Sequence, residues 1–497
     1  MTKPIGIDLG TTNSVAAVAA DVGVDIVVAD TGERTIPSVV AVPSPDETSS
    51  VLVGRPAENQ TVQNPEGTIK SVKRQMGESD PVSLHGETYT PEEVSALILK
   101  KVVADAVAYL GHEVSEAVII VPAYFTDQQR AATITAAELA GISVIQLLNE
   151  PTAACLAHGY DRDVDDELVL VYDLGGGTFD VSLVDIGMGV YEVVVTDGDS
   201  QLGGDDWDKR IVEWITTRIN EEWGGHDVRS DPRAMARIRD HAVEAKHTLS
   251  AREEARIVLP YIAPEYNFEA TLSRETFEEA TADLLEQTLD IVEQTLDEYD
   301  VDPAAVDTLL LVGGATRMPQ VETALEQRFG MTASRETHPD EAVASGAAQR
   351  AAQRTGDNND DILLVDVVSQ SLGIQLANDR FDVLIEANSS TPTSARKDDY
   401  TVSHLGQERA RIRIYQGEDE TASNNELLGE FVVEDVDKGA ATLPQFAIRF
   451  DVDESGILTV EAEDMERSTS ESIQVRSVAT ETTETDRPSS DDLPTIR

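Results

Sequence analysis

The chain has 497 residues, 93 of them Asp or Glu against 38 Lys or Arg, for a formal charge of −55. So acidic a surface excludes general binding to nucleic acid or to anionic membranes, which demand clustered cations. Aromatics make up 5% and hydrophobic residues 40%, so the cores are mostly aliphatic, and the length suggests about three domains.

Periodic apolar segments run through most of the chain, so the charge is read as adaptation to concentrated salt and not as disorder. At molar salt the Debye length falls to about 3 Å, which screens self-repulsion. No apolar run reaches membrane-spanning length, and the start, MTKPIGIDLG, lacks the pattern of a secretory signal. The one cysteine, Cys155, cannot form an internal disulfide and is read as a packed thiol. Together these point to a reducing cytoplasm. The eight histidines show no metal-ligand spacing.

Residues 1–355 alternate strand-like and helix-like patterns with Gly-rich turns, which is an α/β pattern. IGIDLGTTNS (5–14) and LVYDLGGGTF (170–179) both run apolar strand, Asp, Leu, Gly, small, small. Asp8 aligns with Asp173 and Gly10 with Gly175, and both segments continue into apolar sequence. The simplest account is a duplicated lobe, each half offering a hairpin. Two further turns follow: LGGDDWD (202–208) sets Gly203 and Gly204 before an acidic helix start, and LLVGGATRMP (310–319) ends a strand in Gly313 and Gly314, then Arg317. Residues 275–299 carry leucines at helical spacing and are expected as one core helix of an outer lobe.

Residues 356–361 (GDNNDD) break the pattern, and the apolar Ile362, Leu363, Leu364 and Val365 follow. By spacing alone this stretch also reads as the first strand of what comes next. RARIRIY (409–415) alternates charged and apolar, and FAIRFDVDESGILTVEA (446–462) reads as two strands around a turn. Residues 367–476 are expected as an antiparallel β-sandwich. Beyond 476 the composition predicts an acidic disordered tail over 477–497.

Turns of Gly and Thr direct backbone N–H groups toward one point, and the missing Cβ lets them approach a phosphate. Two such hairpins facing each other suit a triphosphate. Asp8 and Asp173, at the strand ends, suit Mg²⁺ held through its water shell. Gly203 and Gly204 open a helix and add N–H groups for a phosphate. Gly313 and Gly314 let backbone lie near a nucleoside, with Arg317 stacking on its base.

Six segments in order, IGIDLGTTNS, VPAYFTDQQR (121–130), NEPTAACLAHG (149–159), YDLGGGTFDVS, LVGGATRMP and DEAVASGAA (340–348), resemble the DnaK-type heat-shock chaperone family of the actin-like ATPase superfamily. The resemblance runs from about residue 4 to 476. It implies a two-lobed actin-like nucleotide-binding domain at 1–355, an apolar interdomain linker at 356–366 and a peptide-binding β-sandwich. It matches Gly10, Thr11, Thr12 and Asn13, with Gly175, Gly176, Gly177 and Thr178, to the phosphate hairpins. A catalytic lysine falls on Lys73 in SVKRQMG. The acidic set is Asp8, Glu150, Asp173 and Asp180, with Mg²⁺ and flanking K⁺ at Asp8, Asp173 and Asp180. The nucleoside pocket matches Glu244, Lys246, His247, Ser250, Gly313, Gly314, Arg317 and Asp340, where His247 stands in place of the family's stacking arginine.

By the same resemblance the linker, Ile362, Leu363, Leu364, Val365 and Asp366, docks on the ATPase domain with ATP and detaches with ADP. An extended client is expected in a groove lined by Ile374, Leu376, Tyr400, Ala410, Ile412 and Ile457. Ala377 and Ser403 stand where the family arches a Met and an Ala over the peptide. Asn149, Asp366 and the VPAYF segment belong to the contact area of a J-domain co-chaperone, with Gln146 in place of a family arginine. A nucleotide-exchange factor and unfolded client polypeptides are the other implied partners. Two departures are expected: no helical lid after residue 476, and a shortened segment between Lys73 and Val121. Besides an ATP-driven chaperone, two readings stay open here: a non-cycling nucleotide-sensing cofactor of a full-length chaperone, and a small-molecule kinase of the same superfamily.

Overall fold

A computed structural model describes residues 3–20, 22–46, 49–159, 166–222, 227–263, 265–334, 341–356, 362–402, 409–434, 445–465, 469–474 and 493–496. The expected duplication appears as two sheets of matching layout. In the first, Ile5–Leu9 pairs antiparallel with Asn13–Ala19 and parallel with Glu116–Val121, which pairs parallel with Ser143–Asn149. In the second, Glu167–Leu174 pairs antiparallel with Phe179–Gly187 and parallel with Thr308–Val312. Asp8 lies opposite Val15 and Asp173 opposite Asp180, so both aspartates end the first strand of a hairpin at the same register.

Between the sheets run two alanine-rich helices, Glu150–Gly159 and Ala342–Thr355. Their small residues are required by close approach: a Cβ on Gly346 would collide with the backbone of Ala153, and one on Gly6 with Ala347 and Ala348. Val118, Ile120, Leu148, Cys155, Val171, Leu310 and Val343 form the apolar seam joining the lobes. Burial pushes the Cys155 thiol well above its usual range, which fits a packed thiol.

The expected helix at 275–299 is two, Arg274–Ala280 and Ala282–Glu298. Thr281 breaks it, its buried hydroxyl donating back to the Phe277 carbonyl at 2.9 Å. Leu289, Val292 and Leu296 still bury in the second lobe's core as the spacing implied.

Beyond the two-lobed part, Phe381–Ile385, Leu372–Gln375, Arg409–Gln416 and Glu426–Glu434 make one antiparallel sheet. Thr393–Thr401, Gln445–Val452, Leu458–Asp464 and Thr469–Gln474 make the other. Their inner faces enclose one apolar core, which is the expected sandwich.

The expected disordered tail needs one correction. Thr495–Ile496 forms a strand lying parallel to Ser50–Val53 at the edge of a small sheet in the first lobe. Leu493 is buried in that lobe's core. Leu493-Pro494-Thr495-Ile496 is an apolar stretch at the end of a polar segment, and it finds an open strand edge. Residues 477–492 of the expected tail, Asp340, Ser403 and linker residues 357–361 lie outside the described residues. Among the described residues no helix is long and apolar enough to cross a membrane.

Candidate active site

The four glycine turns meet at one place between the lobes. A Cβ on Gly176 would strike the Thr12 hydroxyl, so the two hairpin turns stand face to face. A Cβ on Gly203 would lie 2.6 Å from Gly177 backbone. Gly204 N–H donates to the Gly175 carbonyl at 2.9 Å and Asp205 N–H to the Gly176 carbonyl at 2.8 Å, so the helix Gly204–Glu222 starts against the second hairpin turn. Gly313 has φ +81°, a conformation that glycine adopts without strain, and a Cβ there would lie 2.7 Å from Asp173 Oδ1.

Lys73 enters this place from the strand Thr68–Lys70 by way of a turn at Ser71, φ +57°. It is 6% exposed, and Nζ lies 3.1 Å from Glu150 Oε1. Burial alone lowers a lysine pKa. Here Glu150, Asp8 and Asp173 outweigh it and hold the pKa above its usual value. The carboxylates show the opposite strain. Burial, then Glu150 and Asp180, drive Asp173 well up. Burial and Glu150 push Asp180 up to about 8, against the Tyr124 N–H that donates to its Oδ1 at 2.9 Å. Four carboxylates facing one lysine make a strongly cation-seeking wall.

A hydrated divalent cation fits this wall. Among the described residues no three His, Cys, Asp or Glu converge closely enough to coordinate a metal directly. Asp180 Oδ2 is buried with no hydrogen-bond partner, a free acceptor for a metal-bound water.

On the nucleoside side, Lys246 is buried on the helix Pro232–Ala251. Its Nζ reaches the Gly204 carbonyl and Asp208 Oδ2, both at 2.8 Å. The Ser250 hydroxyl donates to the Lys246 carbonyl at 3.2 Å, a bond within the helix. Glu244 and His247 lie exposed on that helix, and Gly314 and Arg317 lie exposed after Thr308–Val312.

The linker is a strand. Leu363–Val367 extends the second sheet, parallel to Val190–Asp199, with Leu363 N–H donating to the Gly189 carbonyl at 3.0 Å. Ile362 and Leu364 pack against the seam between the lobes. The far end of the same strand pairs antiparallel with Ser390–Thr391, a segment between the sandwich strands, with Asp366 opposite Thr391 and Val367 opposite Ser390. The Thr152 hydroxyl lies 3.1 Å from both Asp366 carboxylate oxygens. The linker thus bonds to both domains at once.

A second contact joins the domains at residues that sequence reasoning quoted only within a motif. Thr126 and Gln129 form a capping box at the start of the helix Asp127–Leu139. At its first position Asp127 N–H donates to Gln416 Oε1 at 3.0 Å, and Asp127 Oδ1 accepts from Leu458 N–H at 2.7 Å. Arg130 donates to the Ser455 carbonyl at 3.4 Å, and Leu147 N–H to the Ser455 hydroxyl at 3.3 Å. The T-x-x-Q capping signature in FTDQQR was the available signal for this helix start. Gln146 accepts from Arg350 Nε at 2.8 Å, so a cation at position 146 would face another cation.

Ile374 and Ile412 are buried in the sandwich core, and Leu376, Tyr400 and Ala410 pack against the same cluster. Ala377 is exposed. Ile457 departs from expectation. It is buried in the core of the first lobe, because the 453–457 hairpin turn points across the domain boundary and not into the groove.

A two-lobed α/β domain with a buried Lys–Glu pair among apposed glycine turns, clasped through a linker strand to a β-sandwich, defines an ATPase that couples its nucleotide state to a second binding domain. The family model described as Hsp70 protein matches residues 4–490. The chain is 46% identical to the chaperone protein DnaK of Halobacterium salinarum over 478 residues, 95% of this chain and 75% of that one. It is 44% identical to DnaK of Thermosipho africanus and 43% identical to DnaK of Thermotoga petrophila, each across 93% of this chain and 78% of the relative. The chain belongs to the Hsp70 family. It is an ATP-dependent molecular chaperone, an ATPase whose hydrolysis of ATP in the presence of Mg²⁺ is coupled to protein folding.

Proposed function

We propose that the glycine turns hold the triphosphate of ATP, with Gly10, Thr11, Thr12 and Asn13 on one side and Gly175, Gly176, Gly177 and Thr178 on the other. Gly203 and Gly204 complete the cradle. Lys73 positions the attacking water and neutralises charge spreading onto the γ-phosphate oxygens. Glu150 holds Lys73 and orients that water. Asp8, Asp173 and Asp180 face the water shell of Mg²⁺ and of flanking K⁺, and bound Mg²⁺ supplies further charge neutralisation. Lys246, His247, Gly313 and Arg317 frame the nucleoside.

The observation that carries this reading is the convergence of all four glycine turns on the buried Lys73–Glu150 pair. Clients bind the sandwich through Ile374, Leu376, Tyr400, Ala410 and Ile412. The docked linker strand transmits nucleotide state to that groove. A J-domain protein engages the face near Asn149, Gln146 and Asp366, and an exchange factor releases ADP. The protein works in the cytoplasm, a reading supported by its single buried cysteine, and in concentrated salt, supported by its charge.

The test is single-turnover ATP hydrolysis in molar KCl with Mg²⁺, with and without an unfolded apolar peptide, beside Lys73→Ala. The expected result is slow hydrolysis that peptide accelerates, falling about 10²- to 10³-fold in the variant, as for loss of one transition-state donor. Hydrolysis that persists in Lys73→Ala refutes the assignment of the lysine, and indifference to peptide refutes the coupling.

A further inference from the structure

We propose that the outer edge of the strand Ser50–Val53 is a docking site for an extended apolar peptide, and that its occupant is this chain's own segment Leu493–Ile496. The small sheet in the first lobe runs Thr68–Lys70, Val39–Ala41, Ser50–Val53, and its last strand is Thr495–Ile496. Thr495 lies opposite Ser50 and Ile496 opposite Val51, in parallel. Thr495 N–H donates to the Ser49 carbonyl at 3.1 Å. Leu493 is 9% exposed within the lobe's aliphatic core, and Ile496 packs against the same cluster.

Main-chain bonds to an exposed edge plus apolar side chains in adjoining pockets are how β-augmentation recognises a peptide. An uncovered edge leaves a row of N–H and C=O groups open to other chains, and this segment covers it. Pro494 has no N–H to pair, which confines the ladder to the residues after it. Thr495 is exposed, so recognition rests on Leu493, Ile496 and the backbone.

The occupant comes from beyond the β-sandwich. Residues 475–492 connect it to the last sandwich strand, Thr469–Gln474, and span at most about 60 Å when fully extended. The contact therefore ties the sandwich to the first ATPase lobe. So short a ladder is held because its closure is intramolecular, which makes it exchangeable. The opposite edge of the sheet, Thr68–Lys70, leads directly into Ser71 and Lys73, so the occupant extends the sheet that carries the lysine segment.

The test places cysteines at two exposed, adjacent positions, Ser49→Cys and Thr495→Cys, and treats the chain with a short bismaleimide. Cys155 is buried and stays out of the reaction. The expected product is an internally cross-linked monomer. Adding Leu493→Asp cuts its yield at least tenfold, and excess synthetic peptide Asp-Asp-Leu-Pro-Thr-Ile lowers it in proportion to dose. The labelled peptide binds the Leu493→Asp chain at least tenfold more tightly than the unsubstituted chain, and fails to bind the cross-linked one. Cross-linked dimers would assign the edge to a second copy and overturn the occupant. A yield indifferent to Leu493→Asp, or equal peptide binding to both chains, would overturn the site.

Discussion

Asp127 should make domain docking depend on pH. Its side chain is buried at the boundary, where Oδ1 accepts from Leu458 N–H at 2.7 Å and Oδ2 has no hydrogen-bond partner. Burial pushes its pKa up to about 8. The Leu458 N–H and Arg130 oppose this, and Asp453 and Glu426 add to it. Leu458, Asp453 and Glu426 all belong to the sandwich, so undocking returns Asp127 to the ordinary value near 3.9. The docked state therefore binds the proton more tightly. Docking is strongest below about pH 4, weakens as pH rises toward 8, and is flat above. At pH 7 docking must protonate Asp127, which costs about 4 kcal/mol relative to pH below 4, at 1.36 kcal/mol per pKa unit.

Asp127→Asn keeps the acceptor for Leu458 and removes the charge. Its buried amide NH₂ lacks an acceptor, which costs about 1–3 kcal/mol. The net expectation at pH 7 is a gain of about 1–3 kcal/mol, or roughly 5- to 150-fold in the docking equilibrium. Fluorescence transfer between dyes on cysteines at the exposed Val22 and Met465 reads that equilibrium from pH 5 to 9. The wild-type slope should largely flatten in the variant. A residual slope is expected from Asp366 and Glu426, whose carboxyls burial also raises. A wild type indifferent to pH, or a variant that docks less well with an unchanged slope, refutes the reasoning.

Gly313→Ala forces a Cβ into a φ of +81° and to within 2.7 Å of Asp173 Oδ1. ATP affinity, by equilibrium titration, should fall at least tenfold, with about 1–3 kcal/mol lost on thermal unfolding. Leu364→Asp puts a charge against the seam between the lobes and should cost the docked linker about 2–3 kcal/mol. Peptide should then no longer accelerate hydrolysis, while basal single-turnover rates stay within twofold because the Lys73–Glu150 pair is untouched.

The convergence of the glycine turns was legible because its residues are locally marked. Glycine turns at strand ends carry their own conformational signature, and the repeat of Asp-Leu-Gly aligned Asp8 with Asp173 before any coordinates. The linker was legible as an apolar run after a polar break, although its spacing left open which sheet it joins. It joins both. Ile457 was placed in the groove by resemblance alone, and it lies in the turn before the strand Leu458–Asp464, where no strand periodicity says which core receives it. The turn at 453–457 is braced locally, Asp453 Oδ1 accepting from Ser455 and Ile457 N–H at 2.8 and 3.0 Å. Its destination is a lobe some three hundred residues earlier, which no local period encodes. The strand at Thr495 was missed for the same reason: a polar, acidic neighbourhood outweighs four residues whose partner edge lies at Ser50.

The domain boundary is built from buried charge where an apolar seam was possible, and this bears on how it works. Asp127 and Asp366 are pushed up by burial, Arg130 and Arg350 down. Every one moves toward neutrality, so desolvation outweighs pairing at each. A boundary of this kind is specific, because a displaced partner leaves a charge stranded, but it adds little net stability. Among the described residues the apolar part of the contact includes Ile362, Leu364, Val367 and Ile457, with Leu363 left 58% exposed. A larger apolar seam would hold the sandwich docked whatever the nucleotide. The nucleotide-dependent shift proposed above needs docked and free states close in free energy, because a ligand moves a two-state balance only by its differential affinity for the two. Replacing Asp127 by Asn shifts that balance at one atom, and the resulting over-docking should slow client capture as surely as Leu364→Asp abolishes its coupling to hydrolysis.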